Sequence, residues 1–471
     1  MGLKIYNTLS GSKDEFSPLK KGEVRMYVCG VTVYDQCHVG HARALFTFDM
    51  VFRFLKSLGY NVIFVRNFTD LDDKIIQRAR AEGTNAEAIA EKYIQEFYRD
   101  SAALGLLPPT HEPRATEHIP EIIALIRQLE EKGLAYRVDG DLFFPVDRLP
   151  GYGRLAHRKL EELEAGARVE VDERKRHPMD FALWKASKEG EPSWESPWGR
   201  GRPGWHIECS AMSTKYLGQP FDIHGAGMDL IFPHHENEIA QSEGAYGRPL
   251  ARYWIHNGFV NLNHVKMSKS LGNILTINGV LERYEATALR HYFLTSHYRS
   301  PIDFSYQGLE EAEKAMERVY ETLDRLDRFL PGARLSEPEP ALLDEFRQEM
   351  YDDFNTPKAL ALIFEESRSL NRLLDERRTQ GLEPRRAALR TMGEILGLFQ
   401  ERPETFFEKK KERWVRRQGL SAAAIEELIR ARNRARQDKR WQEADRIRSE
   451  LKDKGILLED TPTGTVWKVR P

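Results

Sequence analysis

Val24-Arg25-Met26-Tyr27-Val28-Cys29-Gly30 and, eight positions on, His38-Val39-Gly40-His41 decide how the first part of the chain folds. The apolar run that stops at Gly30 reads as a buried strand. Leu45, Phe48, Phe52 and Leu55 then recur at helical spacing until Gly59, and residues 61–66 read as a second strand. Strand, helix and strand of these lengths form a βαβ unit, so the strands should run parallel with a right-handed crossover. Ligands in such sheets collect at the carboxyl ends of the strands, where Cys29, Gly30, His38 and Thr69 fall. His38 opens the predicted helix, where backbone N–H groups and the helix dipole favour phosphate. Gly40 lets a ligand approach the backbone closely, and the His38 and His41 imidazoles can donate to phosphate oxygens.

The alternation breaks between about residues 114 and 203, which carry short helical pieces, the Asp139-Gly140-Asp141 turn and a Pro/Gly/Trp-rich stretch. This segment reads as an insertion. The α/β pattern then resumes: a helix over 205–217 stopped by Gly218, a strand over 221–224 and a loop at Gly225-Ala226-Gly227. Pro233 suits the first position of the next helix, and 252–260 reads as a further strand. From Leu309 onward the chain is helical, with Leu309, Ala312, Met316, Val319, Leu323, Leu326 and Leu330 as a core stripe. Thr356-Pro357 reads as the cap and first turn of another helix. Beyond a basic helix, 456–459 and 465–469 around Pro462-Thr463-Gly464 predict a small hairpin.

The chain has 471 residues, enough for roughly three domains. Charged residues make up 31% and mean hydropathy is −0.58, and no apolar run reaches the length of a bilayer span. Three scattered cysteines (Cys29, Cys37, Cys209) exclude a disulfide framework and point to a reducing cytoplasm. Net charge is −2, yet residues 409–454 hold 16 Lys/Arg against 8 Asp/Glu. Such a local excess can follow a phosphate backbone while the rest of the chain does not.

Two further clusters carry chemistry. Lys266-Met267-Ser268-Lys269-Ser270 gathers two lysines and two hydroxyls in a polar loop, which suits screening of a polyphosphate during transfer. His234 and Glu238 stand at i and i+4, so a helix puts them on one face, about 6 Å apart along its axis. With Cys29 and Cys209 they offer two thiolates, an imidazole and a carboxylate, a sound donor set for zinc. No CxxC spacing links the four, and His235 and Glu236 compete with them on composition.

The histidine and lysine strings together resemble the two signatures of the class I aminoacyl-tRNA synthetases, with valine replacing isoleucine in the first. Tyr27-Val28-Cys29-Gly30-Val31-Thr32-Val33-Tyr34-Asp35, Asn67-Phe68-Thr69-Asp70-Leu71-Asp72-Asp73-Lys74, Pro203-Gly204-Trp205-His206-Ile207-Glu208-Cys209-Ser210 and Phe232-Pro233-His234-His235-Glu236-Asn237-Glu238 look like hallmark blocks of the cysteinyl-tRNA synthetase family. The expected fold class is therefore α/β. A Rossmann-type parallel-sheet catalytic domain (1–113 and 204–258) would carry an inserted connective domain (114–203). A lysine-loop region (259–307), a helical bundle (308–405) and a small α/β C-terminal anticodon-binding domain (406–471) would follow.

That resemblance also implies an activity: L-cysteine would be activated with ATP and transferred to the 3′ end of cysteine tRNA. One Zn2+ per chain would be held by Cys29, Cys209, His234 and Glu238, and Mg2+ would accompany ATP. Gly30, His38, Gly40, His41 and Lys269 would bind ATP, with His38, His41, Lys266 and Lys269 as the catalytic groups. Thr69, Trp205, His224 and Asp229 would serve the amino acid. Arg436, Trp441, Asp445 and Asp460 would read the anticodon, while Cys37 and Trp467 would be packing residues. A cytoplasmic monomer with no membrane contact is expected. Two other readings are a cysteine ligase of mycothiol synthesis with the same core, and a non-catalytic zinc-stabilised RNA-binding protein.

Overall fold

The computed structural model describes residues 2–160, 162, 172–262, 265–266, 275–330, 336–461 and 464–469. A short hairpin, β1 (Lys4–Asn7) and β2 (Ser12–Glu15), precedes the βαβ unit. That unit is β3 (Glu23–Val28), α1 (Val39–Ser57) and β4 (Asn61–Arg66), with the two strands paired in parallel from Glu23 opposite Asn61 to Val28 opposite Arg66. Phe48, Phe52, Phe54 and Leu55 of α1 pack between the sheet residues Val24, Met26 and Phe64 and later helices, which explains its apolar faces. Helices α2 (Asp73–Glu82) and α3 (Ala86–Ala103) follow, capped by Asp72 and Asn85.

The insertion is α4 (Ile119–Glu131) and the antiparallel strands β5 (Tyr136–Val138), β6 (Asp141–Phe144), β7 (Phe181–Ala186) and β8 (Gly201–Pro203). Its core is shared with Ile207, Ala211, Ala240 and Ala245 of the next two helices, so it is seated on the body that carries the parallel sheet. These are α5 (Trp205–Leu217) and α6 (Glu236–Tyr246), separated by β9 (Phe221–Gly227) and followed by β10 (Ala251–Asn257). All four strands of the sheet run parallel in the order β10-β9-β3-β4.

Four sequence expectations need correction here. Gly225-Ala226-Gly227 is the end of β9, paired with β10, and no loop. A Cβ on Gly225 would meet the Phe48 ring at 2.2 Å, so glycine serves close helix–strand packing. Pro233 lies inside a π-helical turn (Ile231–His235), and α6 begins only at Glu236. Phe232, preceding the proline, keeps extended backbone angles, as the proline ring demands. The strand expected over 252–260 breaks at Gly258, whose N–H donates to Tyr298 O (2.8 Å), and resumes as β11 (Val260–Leu262). The cap before Pro357 is Asn355, because Thr356 instead spends its hydroxyl on Leu294 O.

Strand β11 pairs with β12 (Val265–Lys266) and with β13 (Ile302–Phe304), and the short helices α7 (Ile277–Leu281) and α8 (Ala286–Leu294) lie between β12 and β13. A bundle follows: α9 (Tyr306–Phe329), α10 (Pro340–Tyr351), α11 (Thr356–Asp375) and α12 (Leu382–Leu396). The last unit is α13 (Pro403–Arg417), α14 (Ala422–Gln437), α15 (Trp441–Asp453) and the hairpin β14 (Ile456–Thr461) with β15 (Gly464–Val469). Among the described residues no helix is long and apolar enough to cross a membrane.

Candidate active site

The carboxyl edge of the sheet opens into a cleft of about 400 Å³ lined by the ends of β3, β4 and β10, the start of α1 and residues of α5. At its base Cys29, just past β3, meets Cys209 of α5, His234 of the π-turn and Glu238 of α6. The sulfurs stand 3.9 Å apart, Cys29 Sγ lies 3.6 Å from a Glu238 oxygen, and His234 Nε2 lies 2.9 Å from it. One donor atom from each residue lies within 4.8 Å of all the others. Cys209, His234 and Glu238 are almost wholly buried.

Their electrostatics are those of a crowded donor set. Burial pushes the Cys29 thiol well up, reinforced by its neighbour Cys209. A hydrogen bond from Cys29 draws the Cys209 thiol down to about 6. Burial opposes charge on His234, but Glu238 and Cys209 outweigh it and lift the ring to about 10. Glu238 feels the same burial, yet His224 and His234 hold it down to about 2. A cation could replace the protons these groups share. Tetrahedral zinc with Zn–S bonds of about 2.3 Å needs sulfurs about 3.8 Å apart, and the observed spacing fits.

The neighbouring histidines support the quartet. His235 Nε2 lies 3.3 Å from Cys29 Sγ, and its Nδ1 meets His256 Nε2 at 2.9 Å. His224 Nε2 lies 2.8 Å from Glu238 Oε2, so a second donor group of Cys29, His224, His235 and Glu238 overlaps the first. Sequence reasoning assigned His224 to the amino-acid pocket; it is buried behind Glu238, stacked on Trp254, and does not line the cleft. The sequence offered His235 as a competitor on composition but gave no signal for His256 or for the partners of either, because contacts at 206 and 21 residues' separation exist only once the sheet is assembled.

Thr69, Trp205 and Asp229 do line the cleft. The Trp205 ring stacks on His234 at 4.3 Å, so it walls the space beside the donor cluster. Gly30 is forced: a Cβ there would sit 1.5 Å from Asn67 O. His38 caps α1. Its Nδ1 accepts from Gly40 N (3.1 Å) and His41 Nδ1 accepts from His38 N (3.2 Å), with the rings stacked at 3.8 Å. Both neutral rings must then carry their proton on Nε2, which makes each a donor. Both rings and Gly40 line the cleft. Lys266 is seen only as a residue of β12, and Lys269 with the rest of its loop lies outside the described residues.

In the tail, Trp441 opens α15 with 58% of its surface exposed, and Asp445 is exposed one turn on. Arg436 and Asp460 are paired with each other at 2.6 Å. Asp460 also takes both prongs of the buried Arg432 (2.8 and 2.9 Å) and the Thr465 hydroxyl, which hold its carboxyl well below the usual range. Sequence reasoning missed Arg432, one of many arginines in the basic run. Trp467 is buried with Nε1 on Glu426, and Cys37 is buried, both as packing residues.

The family model of the tRNA synthetases class I (C) catalytic domain matches residues 15–314, that of the DALR domain 345–400, and that of the cysteinyl-tRNA ligase anticodon binding domain 417–467. Curated relatives named cysteine--tRNA ligase align over the whole of both chains: 56% identical in Geobacter metallireducens, 55% in Geobacter sulfurreducens and 51% in Syntrophobacter fumaroxidans. The chain belongs to the cysteine--tRNA ligase family. The anticodon-binding match in the tail disfavours the mycothiol-type ligase, and the catalytic-domain match together with full-length relatives named as ligases disfavours the non-catalytic reading. Solved structures place the family's fold among other class I synthetases. Mycobacterium tuberculosis methionyl-tRNA synthetase in complex with methionyl-adenylate superposes with TM-score 0.58 at 20% identity, over 79% of this chain and 89% of that one. An Agrobacterium radiobacter LeuRS in a ternary complex gives 0.57 at 13%, over 81% and 84%.

Proposed function

We propose that this cleft joins L-cysteine to ATP as the adenylate and passes the cysteinyl group to the 3′ end of cysteine tRNA. The observation that carries the site-level reading is a thiophilic donor quartet and a helix-capping histidine pair in one cleft. Cysteine and serine are nearly isosteric, so a shape-only pocket separates them poorly. Zn2+, one per chain, held by Cys29, Cys209, His234 and Glu238, would supply a preference for thiolate over hydroxyl.

The chain's own residues account for the rest. Trp205 walls the side-chain space and excludes water, while Thr69 and Asp229 bind the amino and carboxyl end. His38 and His41 donate from Nε2 to phosphate oxygens, and the bare backbones of Gly30 and Gly40 let the nucleotide lie close. The cysteine carboxylate attacks the α-phosphate of Mg2+-ATP, and Lys266 and Lys269 offset the charge of departing pyrophosphate. The terminal hydroxyl of the tRNA then attacks the carbonyl carbon of the adenylate, forming the ester as the acyl–phosphate bond breaks and AMP leaves. No side chain acts as a covalent nucleophile, so alignment within the cleft supplies the rate.

We assign 1–113 with 204–258 to catalysis, 114–203 to the acceptor end, 259–307 to the lysine loop, 308–405 to the bundle and 406–471 to the anticodon. Trp441, Arg436, Asp445 and Asp460 present stacking and hydrogen-bonding groups to unstacked bases. We read the enzyme as a cytoplasmic monomer. Cysteine-dependent pyrophosphate–ATP exchange, with serine as competitor, tests the cleft, and charging of cysteine tRNA tests the whole. Exchange that serine supports equally well would overturn the selector role of the quartet.

A further inference from the structure

Helix α1 carries, two residues beyond His41, a buried guanidinium that the reaction scheme does not use. Arg43 is 1% exposed, and no carboxylate pairs with it among the described residues. Its Nη1 donates to Phe259 O (2.9 Å), and its Nη2 donates to Ser300 O, Tyr298 O (3.2 Å) and His297 O (3.4 Å). Burial lowers it to about 10, which still leaves it charged at neutral pH. A buried charge satisfied only by carbonyls holds those carbonyls firmly, since each bond to a charged donor is stronger than a neutral one.

Those carbonyls belong to two backbone turns in close contact. Gly258 N donates to Tyr298 O, Phe259 O also accepts from Ile302 N (3.0 Å), and a Cβ on Gly258 would stand 2.5 Å from Ser300 O. Residues 257–260 line the cleft together with His38, Gly40 and His41. Residue 260 opens β11, whose partner β12 ends at Lys266, the first residue of the lysine string. Arg43 thus fastens the helix that bears the histidines to the backbone from which the lysine loop departs.

We propose that Arg43 is a positioning residue for the nucleotide half of the reaction: its fork holds residues 257–260 as the wall against which ATP is bound. This rests on the reading of the cleft as an ATP and cysteine site. The carbonyls that Arg43 holds belong to residues 259, 297, 298 and 300, none of them in the donor quartet, so the role predicts a defect confined to ATP.

Arg43→Lys keeps the charge but not the planar fork. In pyrophosphate exchange its KM for ATP should rise about tenfold, from loss of charged hydrogen bonds that fix the wall. KM for cysteine and zinc per chain should stay as in the parent. Amide exchange at Gly258 and Ile302 should quicken while that of β3 and β9 is unchanged; this reading applies even to Arg43→Met if that variant is too weak for kinetics. An unchanged KM for ATP, unchanged exchange at Gly258, or an equal loss in both substrates with loss of zinc would overturn the role. If the parent chain itself shows no cysteine-dependent exchange, the reading of the cleft fails instead.

Discussion

At Cys209 two sulfurs, a carboxylate and an imidazole share protons in one buried cluster, and the soft cation proposed there would take the place of those protons. Replacing the sulfur with oxygen keeps the shape of the side chain and removes its softness. Cys209→Ser should therefore lose bound zinc and cysteine-dependent exchange together, by at least about a hundredfold in metal affinity, as measured by metal content and competitive chelation. One zinc per chain with full activity in that variant would exclude Cys209 as a ligand. Much of this centre was legible beforehand because one pair is local: His234 and Glu238 are one helical turn apart, and Cys29 ends a readable strand. The supporting contacts of His224 and His235, and Arg432 altogether, were not legible, since each acts through a partner that only tertiary structure supplies.

Between elements, the joint of α1 with α8 and the end of α3 turns on one buried carboxylate. Asp49 accepts from Arg53 Nε (2.7 Å), Arg290 Nη1 (2.5 Å) and Leu107 N (2.8 Å), and Arg290 is itself 1% exposed. Burial opposes ionisation of Asp49, but Arg290, Arg53 and the Leu107 N–H together hold its carboxyl below the usual range. A depressed carboxyl contributes stability above its unfolded value of about 3.9, and that contribution fades as pH falls toward the folded value. Asp49→Asn leaves Arg290 buried without its counter-charge and should cost about 3–5 kcal/mol at neutral pH. Urea midpoints should show that gap narrowing below about pH 4; a gap independent of pH would contradict the assignment. Helices with glycine stops, such as α5, were readable from spacing alone. The sheet of the insertion was not, because β5 to β8 are three to six residues long and their pairing is set by the helices beneath them. Likewise Gly225, two residues short of the end of β9, looks like part of a turn until Phe48 is seen pressed against it.

Over the whole molecule, the tail has its own core of Val415, Ile425, Ile429, Ile447, Leu451, Ile456, Trp467 and Val469, yet it is fastened to the body through α13. Lys410 pairs with Glu317, and Arg413 with both Glu285 and Glu313, while Phe406 stacks on Tyr320 at 3.9 Å. These contacts lie before residue 418, and among the described residues none that lines the cleft lies beyond residue 260. A chain ending at residue 418 keeps α13 and its ion pairs, so it should retain pyrophosphate exchange within about twofold, since surface changes of this kind rarely exceed about 0.5 kcal/mol. The same chain should lose charging of cysteine tRNA, because ten of the 16 Lys/Arg of the basic segment and the exposed Trp441 are gone. Trp441→Ala in the full chain isolates the stacking part: about 1–3 kcal/mol per base corresponds to roughly a fivefold to 150-fold rise in KM for tRNA. Exchange and charging falling in parallel in that variant would show that Trp441 supports the fold of α15 and does not read RNA.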